Sequence, residues 1–225
     1  MYFRSQYENY KFNIVRNSNL YLVSLVLVAI LGGLLFGYDT AVISGAEQAL
    51  QKHLGLNAFW HGVTASSALI GCVIGGAISG VCASRMGRRN SLRLSAVLLF
   101  LSALGSYYPE FIFFEKGDTS FSLILAFNFY RILGGVGVGL ASAISPMYIA
   151  EVAPSEIRGK LVSCNQFAVI FGMLVVYFVN YMIKDGMTEE VLVSEGWRKM
   201  FVSEAYPAAV FGILLFLFLR HLVIW

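Results

Sequence analysis

Two charges of opposite sign stand alone in long apolar stretches of the sequence. Asp39 is the one charged residue between positions 20 and 45, and Arg131 the one between 121 and 149. Each stretch is longer than the roughly 20 residues an α-helix needs to cross a bilayer. An ionised side chain there is costly unless it meets a cavity or an opposite charge. An acid held between a guanidinium, which supports its charge, and apolar surroundings, which oppose it, can take up and release a proton as its partner moves. That is the chemistry proton coupling needs. A fixed structural ion pair leaves the same trace, and the residues alone weigh the two readings evenly. Glu204, a short way into the last apolar stretch, is a third ionisable group. It suits a proton relay, but its position favours a place at the outer interface.

The elements able to hold such charges are long helices. Of the 225 residues, 58% are hydrophobic and 13% charged, and the mean hydropathy is +0.71. A soluble domain carries about twice that charge fraction. The composition therefore points to an all-α polytopic membrane protein. Six spans can be drawn, at 20–45, 62–84, 94–108, 121–149, 161–183 and 200–219. The third is short and extends across Arg93, whose side chain can snorkel to the headgroups. The fourth is longer than needed, so it tilts or emerges from the membrane. The first is too long for the h-region of a signal peptide and reads as an uncleaved span. Lys and Arg gather in 1–19, 85–93, 151–160 and the C-terminal end, ten residues against five on the other side. By the positive-inside rule both termini are cytoplasmic.

Further side chains are placed by this frame. Gln166, Met173, Tyr177 and Asn180 share one face of the fifth span, with Val169 between them. Such a stripe suits the hydroxyls of a neutral polar solute and equally suits interhelical hydrogen bonds. Phe36, one turn before Asp39, can stack on a solute or simply fill the core. Gly71, Gly75, Gly76 and Gly80 form two small-residue pairs for close helix packing. The glycine run at 134–139 fails the spacing of a nucleotide-binding loop and takes the same packing role. Cys72, Cys82 and Cys164 form no CxxC or Cys/His cluster and fit small apolar filler. No catalytic signature and no basic run of the nucleic-acid-binding kind is evident. The short loop carrying Arg85, Gly87, Arg88 and Arg89 lies on the same side as the loop from Glu151 to Arg158. Gly87 permits a tight turn, while the arginines suit carboxylates, helix C-terminal carbonyls or anionic lipid heads. Facing one another, the two loops can latch that side shut.

Five stretches, GGLLFGYDTAVISG, RMGRR, RILGGVGVGL, SPMYIAEVAPSEIRGKLVSCNQFAVIFG and EGWRKMF, resemble the sugar porter family of the major facilitator superfamily. The resemblance covers about residues 21–219. It implies a fold of twelve helices in two six-helix halves, with a sugar bound between them and access alternating between the two sides. The sequence holds the N-terminal half, a 3+3 repeat: a cytoplasmic segment at 1–19, the bundle at 20–219 and a cytoplasmic end at 220–225. The implied activity is symport of a proton and a monosaccharide, D-xylose or a relative, across a bacterial inner membrane. The proton is the coupling ion, and neither cofactor nor metal is implied. By the same resemblance Asp39 is the proton-binding acid, Arg131 its partner and Glu204 an accessory coupling group. Phe36 and Gln166 are implied as sugar contacts. Met173 stands where the xylose-transporting pattern has a second sugar-binding Gln, a loss that weakens or changes selectivity. Arg85, Gly87, Arg88, Arg89, Glu151 and Arg158 are implied as a cytoplasmic gate, with Ser84 in place of one of its acids. The family's proline-led PESPR-type segment, linker and six further helices have no counterpart after residue 219. A C-terminal half is therefore the expected partner. The alternative is an inactive truncated fragment.

Overall fold

The computed structural model describes the backbone of residues 2–110 and 121–218, and within these all side chains except those of 2–25, 28, 29 and 218. The basic side chains Arg4, Lys11, Arg16, Lys116 and Arg220, which contribute to the orientation argument, lie outside the described residues. So do residue 1, the whole of 220–225 and the last residue of the expected sixth span.

The described residues are helical and contain no strand. Helix α1 covers Tyr2–Leu54 and continues through the polar lead of the sequence. It stops where Gly55 takes φ +62°, a left-handed cap open to glycine. Helix α2, Ala58–Tyr107, starts at Asn57, whose side-chain oxygen accepts from the Trp60 N–H at 2.9 Å. It is bent in two at Gly87, which takes φ 80° and ψ 156°. No atom lies within 4 Å of where a Cβ would stand there, so conformation rather than space calls for glycine. Helix α3 is Phe121–Val152 and helix α4 is Arg158–Asp185. The last apolar stretch is broken: α5 at Glu189–Val191, a π-helical turn at Leu192–Gly196, α6 at Trp197–Ser203 and α7 at Ala205–Phe218. The break between α6 and α7 follows from Pro207, whose missing N–H leaves the Ser203 carbonyl without its helical donor. The Glu204 N–H tightens onto the Phe201 carbonyl at 3.2 Å instead.

Four stretches among the described residues are long and apolar enough to cross a membrane: Ala58–Tyr107, Phe121–Val152, Arg158–Asp185 and Glu189–Leu217. The last begins earlier than the expected 200–219. α3 is the central element, with 61% of its most apolar window buried inside the molecule against 28% in α2 and in α4. Those two helices keep broad apolar faces outward, the pattern of helices solvated by lipid rather than water.

Glycines set the closest crossings. A Cβ on Gly71 would overlap the Ile132 carbonyl, and one on Gly135 would overlap the Ala68 carbonyl, so α2 and α3 touch backbone to backbone. The same holds between α1 and α4, where Gly37 meets the Val169 carbonyl and Gly172 the Leu34 carbonyl. The small-residue face expected of the second span is thus used through Gly71 and Gly75, while Gly76 and Gly80 face open space. Around these crossings two apolar clusters form. The first joins Tyr38, Val42, Phe127, Trp197 and Phe201; the second joins Leu35, Leu99, Val138, Ile144 and Phe211. Cys72 and Cys82 are half-buried, whereas Cys164 is exposed and is not core filler.

Candidate functional site

Between the two apolar clusters three helices bring three ionisable side chains together. Asp39 comes from α1 and Arg131 from α3, and the Arg131 Nη1 donates to Asp39 Oδ1 at 2.7 Å. Glu204 comes from the break between α6 and α7, with its Oε2 3.9 Å from the same nitrogen. The three side chains are 1%, 2% and 0% exposed, so water contributes almost nothing to their solvation. The guanidinium carbon of Arg131 lies 5.1 Å from the Phe201 ring centre, and its Nε has no hydrogen-bond partner among the described residues. One guanidinium therefore faces two carboxyls, and a proton on either acid brings the cluster to neutrality.

The expectation of Glu204 at the outer interface is corrected: it is fully buried. Its side chain points into the bundle beside Asp39 and Arg131 rather than to the surface. A hydrogen bond absent from the sequence reading supports this placement. The Tyr38 hydroxyl and Ser203 Oγ are 2.7 Å apart. Ser203 Oγ donates to the Met200 carbonyl at 2.5 Å, which leaves Tyr38 as the donor. Each member of this bond immediately precedes one of the two acids.

The stripe on α4 straddles the edge of a buried face instead of forming one surface. Val169 and Asn180, turned toward α1, are buried, and Asn180 Nδ2 donates to the Val42 carbonyl at 3.2 Å. Gln166 and Tyr177, turned away, are exposed, and Met173 lies between. For Asn180 the interhelical reading holds. Phe36 is half-buried and packs against the second apolar cluster.

At the bend of α2, Arg88 reaches across to Glu151 at the end of α3. Its Nε and Nη2 donate to Glu151 Oε1 at 3.0 and 2.7 Å, and both side chains are partly exposed. Arg85, Arg89 and Arg158 make no ion pair among the described residues, and Arg158 instead donates to the Ala153 carbonyl at 3.4 Å. The expected charge network is thus a single bridge next to the Gly87 bend.

Sequence reasoning missed a second buried pair. Arg198 Nη1 donates to Glu110 Oε2 at 2.8 Å and to the Tyr107 carbonyl at 3.0 Å, while its Nη2 donates to Glu110 Oε1. The guanidinium stacks over Trp197, 4.5 Å from the ring centre. Both residues lie near predicted span ends, where a charge carries no signal of burial. Nearby His53, 5.4 Å ring to ring from Trp197, is held below the usual histidine range by burial first and by Arg198 second.

Comparison with known proteins bears on this geometry. Residues 25–224 match the family described as sugar (and other) transporter. Over 210 residues the chain is 52% identical to the D-xylose-proton symporter of Escherichia coli (strain K12), covering 87% of this chain and 43% of that one. It is 40% identical over 203 residues to the arabinose-proton symporter of Bacillus subtilis (strain 168), covering 90% and 41%. It is 41% identical over 195 residues to the glucose transport protein of a Synechocystis strain, covering 84% and 39%. The structure of the major facilitator superfamily proton:xylose symporter XylE bound to 6-bromo-6-deoxy-D-glucose superposes with a TM-score of 0.83 at 50% identity, over 88% of this chain and 45% of that one. The inward-open conformation of XylE from E. coli gives 0.80 at 51% identity, over 87% and 47%. The chain thus spans less than half the length of these relatives, all of them transporters. Its helices, its glycine crossings and its sequence agree on one assignment: the chain belongs to the sugar transporter family of the major facilitator superfamily.

Proposed function

We propose that the chain is the six-span N-terminal half of a sugar–proton symporter that works by alternating access together with a C-terminal half. The observation that carries this reading is the buried cluster in which Arg131 faces both Asp39 and Glu204. The six spans lie in residues 20–45 of α1, in the two arms of α2 on either side of Gly87, in α3, in α4 and in the stretch Glu189–Leu217, with both ends cytoplasmic in a bacterial inner membrane. Asp39 binds the coupling proton, and Glu204 is the second acid through which Arg131 is shared. When Asp39 is protonated its hold on Arg131 weakens and the guanidinium turns toward Glu204. This links proton occupancy to the relative positions of α1, α3 and the broken last helix. Gln166, exposed on α4, and Phe36, one turn from Asp39, contact the sugar, and Met173 sets part of its selectivity. The Arg88–Glu151 bridge closes the cytoplasmic side. D-xylose or a related monosaccharide is the substrate, a reading supported by the xylose- and arabinose-proton symporters among the relatives.

The test is co-expression with a matching C-terminal half and measurement of xylose-dependent proton uptake. Asp39→Asn removes the exchangeable proton while keeping the size of the side chain, and coupled uptake falls to background. Coupled uptake at the unmodified level in that variant would falsify the role of Asp39.

A further inference from the structure

An apolar groove of about 460 Å³ runs between the second arm of α2 and α7. Its floor is made by small residues, Ala96 on α2 and Ala208 and Gly212 on α7; a Cβ on Gly212 would meet only that of Ala96, at 3.8 Å. Its rims are Phe100 and Phe216, both exposed. Arg93, one turn before Ala96 on α2, stands beyond one end of the groove and touches its rim. That guanidinium lies over the Phe216 ring, 4.7 Å from its centre, and its Nη2 and Nη1 donate to the Leu215 carbonyl at 3.5 Å and to Asn90 Oδ1 at 3.3 Å. The Arg93 Nε is buried with no partner among the described residues, and so is the Arg89 Nε one turn away on the same face. Arg88, their neighbour, is neutralised by Glu151. Neither Arg89 nor Arg93 has an ion-pair partner among the described residues.

Two uncompensated guanidinium groups, four residues apart, thus close one end of a greasy channel. Two like charges so placed repel each other and are stabilised by an anion. Guanidinium binds phosphate through paired N–H donors. From Ala96 to Leu101 the groove runs about 7.5 Å along the helix, at 1.5 Å per residue, with Arg93 one turn beyond it. We propose that this groove is a binding site for an anionic phospholipid, with one acyl chain lying between α2 and α7 and the phosphate headgroup on Arg93 and Arg89. Basic pockets between spans on the cytoplasmic side take anionic headgroups for this reason. The charge complementarity decides between lipids: a zwitterionic headgroup brings its own cation and leaves the two arginines uncompensated. A free phosphate satisfies the arginines but leaves the groove unfilled. The inference needs only that these helices lie in a membrane and is independent of any transport activity.

The experiment is retention of lipid by the purified chain in mild detergent, read by native mass spectrometry. The protein is offered equal amounts of phosphatidylglycerol and phosphatidylethanolamine with identical acyl chains. Phosphatidylglycerol is expected to be retained about tenfold over phosphatidylethanolamine, which is 1.4 kcal/mol. Arg93→Gln brings it down to the level of phosphatidylethanolamine, and Arg93→Lys, which keeps the charge, preserves most of the preference. Gly212→Phe fills the groove and removes retention while leaving both arginines in place. Should that variant fail to fold, the Gln and Lys variants at position 93 decide the matter alone. Equal retention of the two lipids, or an Arg93→Gln variant that still prefers phosphatidylglycerol, overturns the site. So does displacement of the lipid by millimolar inorganic phosphate, which would make the arginines a simple anion site.

Discussion

Arg131 and Arg198 are both buried, both are held by a carboxylate and both lie against an aromatic ring, but they are held in opposite ways. Arg198 meets a single acid, Glu110, with both terminal nitrogens, and adds a bond to the Tyr107 carbonyl. Arg131 meets Asp39 through one nitrogen, keeps Glu204 within 3.9 Å of that nitrogen and leaves its Nε unpaired. A bidentate bond engages both terminal nitrogens of the guanidinium, and in a low-dielectric interior any departure from it is strongly opposed. A guanidinium shared between two acids has a second arrangement close at hand. Burial is common to both sites. What separates an anchor from a movable part is how many acids share the guanidinium among the described residues.

Mutation separates the two arginine sites. The largest effect is expected at Asp39, where Asn should reduce proton-coupled sugar uptake to background in the complete transporter while the variant still reaches the membrane. Uptake assays and surface quantification check the two halves of that statement. Next is Glu110→Gln, which strips a buried guanidinium of its counter-charge. Removing one partner of a buried pair costs about 3–5 kcal/mol, to be read as a lowered midpoint of unfolding in detergent. The pH profile of uptake by the molecules that do fold should not move. A shifted profile would place Arg198 among the coupling groups and erase the distinction drawn here.

Smaller effects test the surface. Arg88 and Glu151 are 40% and 43% exposed, so a double-mutant cycle to Ala should give a coupling energy of only about 0.2–1 kcal/mol. A much larger value would mean that the bridge is shielded by another part of the transporter. Smallest of all is His53, next to the Arg198 pair. Its folded-state pKa lies below the ordinary value of 6.5, so the folded state binds a proton less readily than the unfolded chain. Its contribution to stability is complete above that value and declines as pH falls below it toward the lowered pKa. His53→Gln should flatten this decline below about pH 6.5, measured as the pH dependence of thermal unfolding followed by Trp fluorescence. An unchanged slope would show that His53 remains solvated in both states.

Much of the frame was legible because membrane solvation leaves strong marks. Solitary charges in apolar runs identified Asp39 and Arg131, and their opposite signs anticipated the bond between them. The small-residue spacing at Gly71 and Gly75 anticipated the α2–α3 crossing, and Gly87 anticipated the bend. The failures have physical causes as well. The position of Glu204 one turn after Met200 points to the interface, because nothing in the local sequence shows that Asp39 and Arg131 from two other helices bury it. A helical face seen in projection has no edge, so the stripe on α4 could not be divided into exposed Gln166 and buried Asn180. Arg198 and Glu110 lie 88 positions apart near span ends, where charges are ordinary and nothing announces that two of them meet.

The backbone contacts of Gly37 with Val169 and of Gly71 with Ile132 carry a consequence for sequence variation. Alanine is the gentlest of replacements in a helix by propensity, and slightly favours one over glycine. At these crossings a single methyl has no side chain to push aside and meets a carbonyl of the neighbouring helix. The methyl can be accommodated only by displacing that helix. A one-letter change in a glycine codon, which most scoring schemes would rank among the mildest, therefore alters the spacing of two whole spans.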